Sequence, residues 1–192
     1  MIRKTVGLSV AALLIGTMIV LMVKTNSEQP KLTDNLAAID STSLKEEPGL
    51  GIGDTPPNFE LTTASGEVIK LSDLIGKKVI LNFWTSWCNW CEVEMPFMQK
   101  YYQEYMESAN VEIIAVNLTA AERQGLKGVQ RFIDAYGLTF PIPLDVDGNV
   151  EKAYRIMTYP TTYMLGTDGK IGQQIIGPMD EATMKVLVEG LN

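Results

Sequence analysis

Cys88 and Cys91 are the only two cysteines of the 192-residue chain, and they stand three apart in Cys88-Asn89-Trp90-Cys91. Thiols at this spacing can hold a soft metal ion, form a structural bridge, or pass electrons by closing and reopening a small disulfide ring. As a staple the bridge is weak, because so short a loop removes little entropy from the unfolded chain. Two thiolates fall short of the four ligands of the usual structural zinc site. The chain has no histidine to complete one, and this also removes every Ser-His and Cys-His dyad. Dithiol exchange fits best. Cys88 attacks a substrate disulfide to form a mixed disulfide, and Cys91 displaces the substrate.

The elements around the pair favour this order. Lys78–Trp84 is a nearly unbroken apolar run that reads as a buried strand. Cys88 follows it and opens a helical pattern running to about Ser108, with a kink expected at Pro96. A helix amino terminus offers partial positive charge and unpaired N–H groups, and both stabilise a thiolate on Cys88. The three-residue step puts Cys91 on the same helical face, and a further step of three reaches Glu94. A carboxyl partly withdrawn from water there keeps its proton to higher pH and can exchange one with Cys91. The alternative is a solvated surface glutamate, which is the expectation for Glu92. Trp87 and Trp90 flank the thiols as an apolar lip that can dock a peptide, joined by Tyr159. Trp87 fits core packing equally well.

The remaining patterns place these elements in an α/β fold. Asn58–Thr62 and Glu67–Leu71 predict a hairpin around Ser65-Gly66, followed by a turn at Asp73–Gly76. Val111–Asn117 predicts a second buried strand, and Glu122–Tyr136 a helix closed by Gly137. Val150–Tyr154 reads as a short helix. Thr161–Gly166 and Ile171–Ile176 form a hairpin around Asp168-Gly169, and Glu181–Leu191 a last helix. The order implies a central mixed sheet with helices on both faces.

Three segments precede or make up this unit. Residues 1–24 predict an uncleaved signal anchor: after Arg3 and Lys4, Thr5 to Val23 carry no charge. As a helix that run spans about 28 Å, close to the hydrocarbon thickness of a bilayer. The basic residues keep the amino terminus inside, so the domain faces outward. A cleaved signal peptide is the rival, but no small-x-small site follows the run. Residues 25–50 read as a polar linker and 51–192 as the folded domain. The first 50 residues balance five basic against five acidic side chains, so the net charge of −7 belongs entirely to residues 51–192. So acidic a domain repels phosphates, which excludes nucleic acid as a partner.

The stretch Asn82-Phe83-Trp84-Thr85-Ser86-Trp87-Cys88-Asn89-Trp90-Cys91-Glu92-Val93-Glu94-Met95-Pro96 resembles the signature of the extracytoplasmic thioredoxin-like ResA/TlpA group. Tyr159-Pro160-Thr161-Thr162 resembles that group's second signature, in which a cis proline faces the cysteines. The resemblance implies a thioredoxin-like fold with an amino-terminal β-hairpin extension. It implies Cys88, Cys91 and Glu94 as catalytic residues, and Trp87, Trp90, Tyr159, Pro160 and Thr161 as the substrate-binding rim. It further implies reduction of protein disulfides outside the cytoplasm, apocytochrome c among the clients, with electrons from a membrane donor and neither cofactor nor metal. Asp145 matches an acidic residue of the group near the active site; a polar strand end accounts for it equally well. Asn89-Trp90 departs from the group, where proline is common beside the second cysteine.

Other functions compete. Thr85-Ser86-Trp87-Cys88 satisfies the Thr-x-x-Cys of thiol peroxidases, yet Leu81 stands where those enzymes carry proline. A copper-binding assembly module of thioredoxin fold would usually add a histidine. A disulfide-forming oxidase differs from a reductase in potential, which the sequence leaves open.

Overall fold

The computed structural model describes residues 47–192. The expected anchor, and the expected linker up to residue 46, lie outside the described residues. Strands β1 (Glu60–Thr62) and β2 (Val68–Lys70) form an antiparallel hairpin. Strand β3 (Lys78–Trp84) leads into helix α1 (Asn89–Tyr105), which continues through Pro96. Next come β4 (Val111–Asn117), α2 (Gly125–Tyr136) and the short α3 (Asn149–Ala153). Strands β5 (Thr161–Leu165) and β6 (Ile171–Ile176) and helix α4 (Glu181–Glu189) complete the chain.

The main sheet runs β4-β3-β5-β6. Strand β4 is parallel to β3, whereas β5 is antiparallel to both β3 and β6. This is the expected mixed sheet. Strand β3 lies between two neighbours, which explains its apolar composition: both of its faces are covered. Ile80 and Trp84 face one core with Met95 and Met98 of α1, Val129 and Phe132 of α2, and Met184 and Val188 of α4. Val79, Leu81 and Phe83 face the other, with Leu71, Val150 of α3 and Tyr154. Leu50 packs against this second core, so the chain joins the domain at the end of the expected linker.

Two departures from the sequence reading have physical causes. Helix α2 starts at Gly125 rather than at Glu122, because the Glu122 carboxylate turns away to bind the loop before α1 (below). Residues Thr119–Ala121, just before, form a 3-10 turn. The second departure is an extended segment at Pro141–Leu144, which the sequence reading left without structure. Pro141 and Pro143 accept hydrogen bonds from the Ala115 and Asn117 N–H groups of β4. On its other side Ile142 accepts from Ala64, and Leu144 donates to Thr62. Proline lacks an N–H, so this segment bridges hairpin and sheet without a full ladder of its own. Among the described residues no helix is long and apolar enough to cross a membrane.

Trp84 ties the central strand to the helical layer. It is fully buried, donates from Nε1 to the Ala115 carbonyl at 3.1 Å, and meets the Phe132 ring at 4.8 Å between centroids. Trp84→Ala should lower unfolding stability by about 3–5 kcal/mol, measured by urea denaturation. A loss under about 1 kcal/mol would show that the packing around Trp84 collapses to fill the space.

Candidate active site

Cys88 is the N-cap residue of α1, with extended backbone angles. A buried strand ends at Trp84, a tight turn follows, and the first helical N–H groups converge on whatever occupies the cap. Here the Cys88 sulfur accepts the Cys91 N–H at 3.2 Å. That contact seats the sulfur against the free N–H groups at the start of the helix. The Cys88 thiol also reaches the Tyr159 carbonyl at 3.5 Å, so the loop before β5 abuts the sulfur. The Tyr159–Pro160 bond is cis, as the resemblance implies. Both cysteines are thiols in this structure. Cys88 retains 8% exposure and Cys91 none, so only the first can meet a substrate. Burial, and then the contact with Cys88, push the Cys91 thiol far above its ordinary pKa. Cys91 therefore needs a base before it can attack.

Glu94 brings an ionisable carboxyl to this site. Its carboxyl is fully buried beneath the thiols, and its charge bears on Cys91. Oε2 accepts from Asn82 Nδ2 at 2.9 Å, and Oε1 accepts from the Met179 N–H at 3.0 Å. Burial pushes its pKa from 4.5 up to about 7, against the opposing pull of the Met179 and Asn82 hydrogen bonds. A carboxyl with that value is divided between its two forms near neutral pH and can take or return a proton. Glu92, one turn position away, is exposed.

The rim residues divide in role. Trp90 is 62% exposed and stands free beside the thiols. Trp87 is half-buried and held on three sides: Nε1 donates to the Ala121 carbonyl, Arg123 lies over the ring at 4.0 Å, and Tyr159 meets it edge-on. Tyr159 is itself fixed by its hydroxyl, which donates to Glu151; burial first and this bond second push its pKa up to about 12. Pro160 and Thr161 are buried, and the Thr161 hydroxyl donates to the Thr158 carbonyl. The structure thus brings Trp87, Tyr159 and Pro160 to the cysteines, while the Thr161 side chain turns into its own loop. Asp145 is buried, and its carboxylate accepts the Val150 and Glu151 N–H groups at the start of α3. Its place is a helix terminus.

Three residues of the site fall outside the sequence expectations. Asn82 sits within the apolar run of β3, and a lone amide in a buried strand was the available signal. Thr162 lies opposite it on β5. Glu122 accepts the Ser86 N–H and hydroxyl and the Asn117 Nδ2, clamping the loop before Cys88 to the end of β4. Nothing in spacing announces that clamp.

The model of the AhpC/TSA family matches residues 52–174. The chain belongs to the AhpC/TSA family. Among relatives of this AhpC/TSA chain, the thioredoxin-like protein YneN of Bacillus subtilis is 44% identical over 144 residues, covering 75% of this chain and 82% of YneN. The thiol-disulfide oxidoreductase ResA of the same organism is 40% identical over 130 residues, covering 68% of this chain and 70% of ResA. The crystal structure of StoA from Bacillus subtilis superposes with a TM-score of 0.62 at 40% identity, covering 69% of this chain and 96% of StoA. The AhpC/TSA domain is therefore thioredoxin-like in fold, of the ResA-like kind.

The buried carboxyl gives folding a pH dependence. Between pH 4.5 and about 7 the unfolded glutamate has lost its proton while the folded one keeps it. The folded state binds more protons there, so Glu94's contribution to stability falls as pH rises through that window and stays low above it. The displacement from 4.5 to about 7 corresponds to about 3 kcal/mol. Chemical denaturation at pH 5 and pH 8 should show this decline in the parent chain, and Glu94→Gln should abolish it. An identical slope in both would contradict the assignment.

Proposed function

We propose that this chain is a thiol–disulfide oxidoreductase that reduces protein disulfides outside the cytoplasm, held at the membrane by residues 1–24. The observation that carries the reading is the stacking of three groups in order of depth: Cys88 at the helix terminus, Cys91 behind it, and the Glu94 carboxyl beneath. The names of the relatives support it, since ResA is called a thiol-disulfide oxidoreductase.

In this reading the Cys88 thiolate attacks one sulfur of the client disulfide, and the other sulfur leaves as a thiolate. Cys91 then passes its proton to the Glu94 carboxylate and attacks the Cys88 sulfur. The Cys88–client bond breaks, and the client's second sulfur leaves as a thiolate that takes up a proton. The client gains two electrons as a dithiol, and the enzyme is left with a Cys88–Cys91 disulfide. A membrane-bound thiol donor returns the two electrons. Trp87, Trp90, Tyr159 and Pro160 form the surface on which the client lies, and apocytochrome c is the client class this assignment takes.

Cys91→Ala in the full-length chain should accumulate mixed disulfides on Cys88, seen as dithiothreitol-sensitive adducts on non-reducing gels. Cys88→Ala should give none. A folded Cys91→Ala chain that captures nothing would overturn the exchange mechanism, and rapid peroxide consumption by the parent would favour a thiol peroxidase instead. For the anchor, the chain should fractionate with membranes at full length. A shortened form in the medium would defeat it.

A further inference from the structure

Asn82 is a buried amide in a strand that is otherwise apolar from Val79 to Trp84, and it sits on the face turned toward α1. Its Nδ2 makes two bonds at 2.9 Å, one to Glu94 Oε2 and one to Thr162 Oγ1 directly across the sheet. Its Oδ1 is buried with no hydrogen-bond partner. An unpartnered buried carbonyl costs stability, and an apolar side chain of the same size would avoid that cost. What the amide supplies in return is the donor aimed at the carboxyl.

The surroundings make that donor decisive. Of the titratable groups around the site, Cys91 bears on Glu94 and Tyr159 bears on the two cysteines, and none of these is a cation. Asp180 follows Met179 but is exposed and caps α4. Lys78, four residues back on β3, gives its ammonium to the Val188 carbonyl. The charged form of Glu94 thus rests on two N–H donors, Met179's backbone and Asn82's side chain.

We propose that Asn82 is a positioning residue for proton transfer: its amide holds the Glu94 carboxylate beneath Cys91 and thereby governs the pH at which the second thiol is activated. The proposal rests on the reading of Glu94 as the base for Cys91. Asn82 touches neither the reacting sulfurs nor the client, and acts only through Glu94.

The test uses the full-length chain with Asn82→Leu, following the Glu94 carboxyl by carbon-13 NMR and the pH profile of insulin disulfide reduction. The Glu94 midpoint should rise by about one pH unit, a tenfold change in its ionisation constant, and the rate profile should move with it. In a Glu94→Gln background the same substitution should leave the profile unmoved. Should Asn82→Leu not fold, Asn82→Ala carries the same expectation. An unmoved midpoint in a folded variant overturns the proposal alone. Equal rate losses with and without the carboxyl also overturn it, marking Asn82 as structural. If Glu94→Gln by itself leaves the parent's rate profile unchanged, the base assignment fails and this proposal fails with it.

Discussion

A carboxyl enclosed between a helix and a sheet must either keep its proton or be met by donors. Glu94 is poised between these outcomes, and much of the domain's arrangement follows from it. Helix α1 has to lie across β3 closely enough to bury the side chain, which brings Asn82 within reach. The turn before α4 has to present the Met179 N–H from the opposite side. The same packing closes over Cys91, so the thiol and the carboxyl are withdrawn from water together. In water the proton would be lost to solvent at ordinary carboxylate pH. Here it is kept until near neutrality, where thiol chemistry takes place.

The second constraint lies on the loop between β3 and α1. Cys88 can cap the helix only if the turn before it holds its shape. Glu122 supplies that hold from another part of the chain, spanning Ser86 and Asn117 with one carboxylate. The cost is visible in local structure: α2 starts three residues late, and Glu122–Gln124 stay outside the helix. Arg123, next in line, lies over Trp87 and completes the brace.

The sequence made the framework legible because burial writes itself into composition. Lys78–Trp84 and Val111–Asn117 match their strands residue for residue, since a strand covered on both faces is apolar at most of its positions. Gly137, in the left-handed region, closes α2 as read. The helical step also linked Cys88, Cys91 and Glu94. What it left open was whether Glu94 faces solvent, because periodicity orders residues around a helix and does not say what lies against each side. Asn82 and Thr162 were hidden for the complementary reason: their importance comes from a register between strands 80 residues apart in sequence. Pro141–Leu144 was hidden because its prolines argue against a strand until a neighbour is found that needs only their carbonyls.

The depth of Cys91 has one further consequence. A sulfur with no exposed surface cannot be reached by peroxide or other small oxidants, so oxidative damage is funnelled to Cys88. Any sulfenic acid formed there has a thiol at its back. Ring closure expels water and returns the pair to its ordinary disulfide before irreversible oxidation can proceed. The geometry that seats Cys91 behind Cys88 thus also works as a safety catch against over-oxidation.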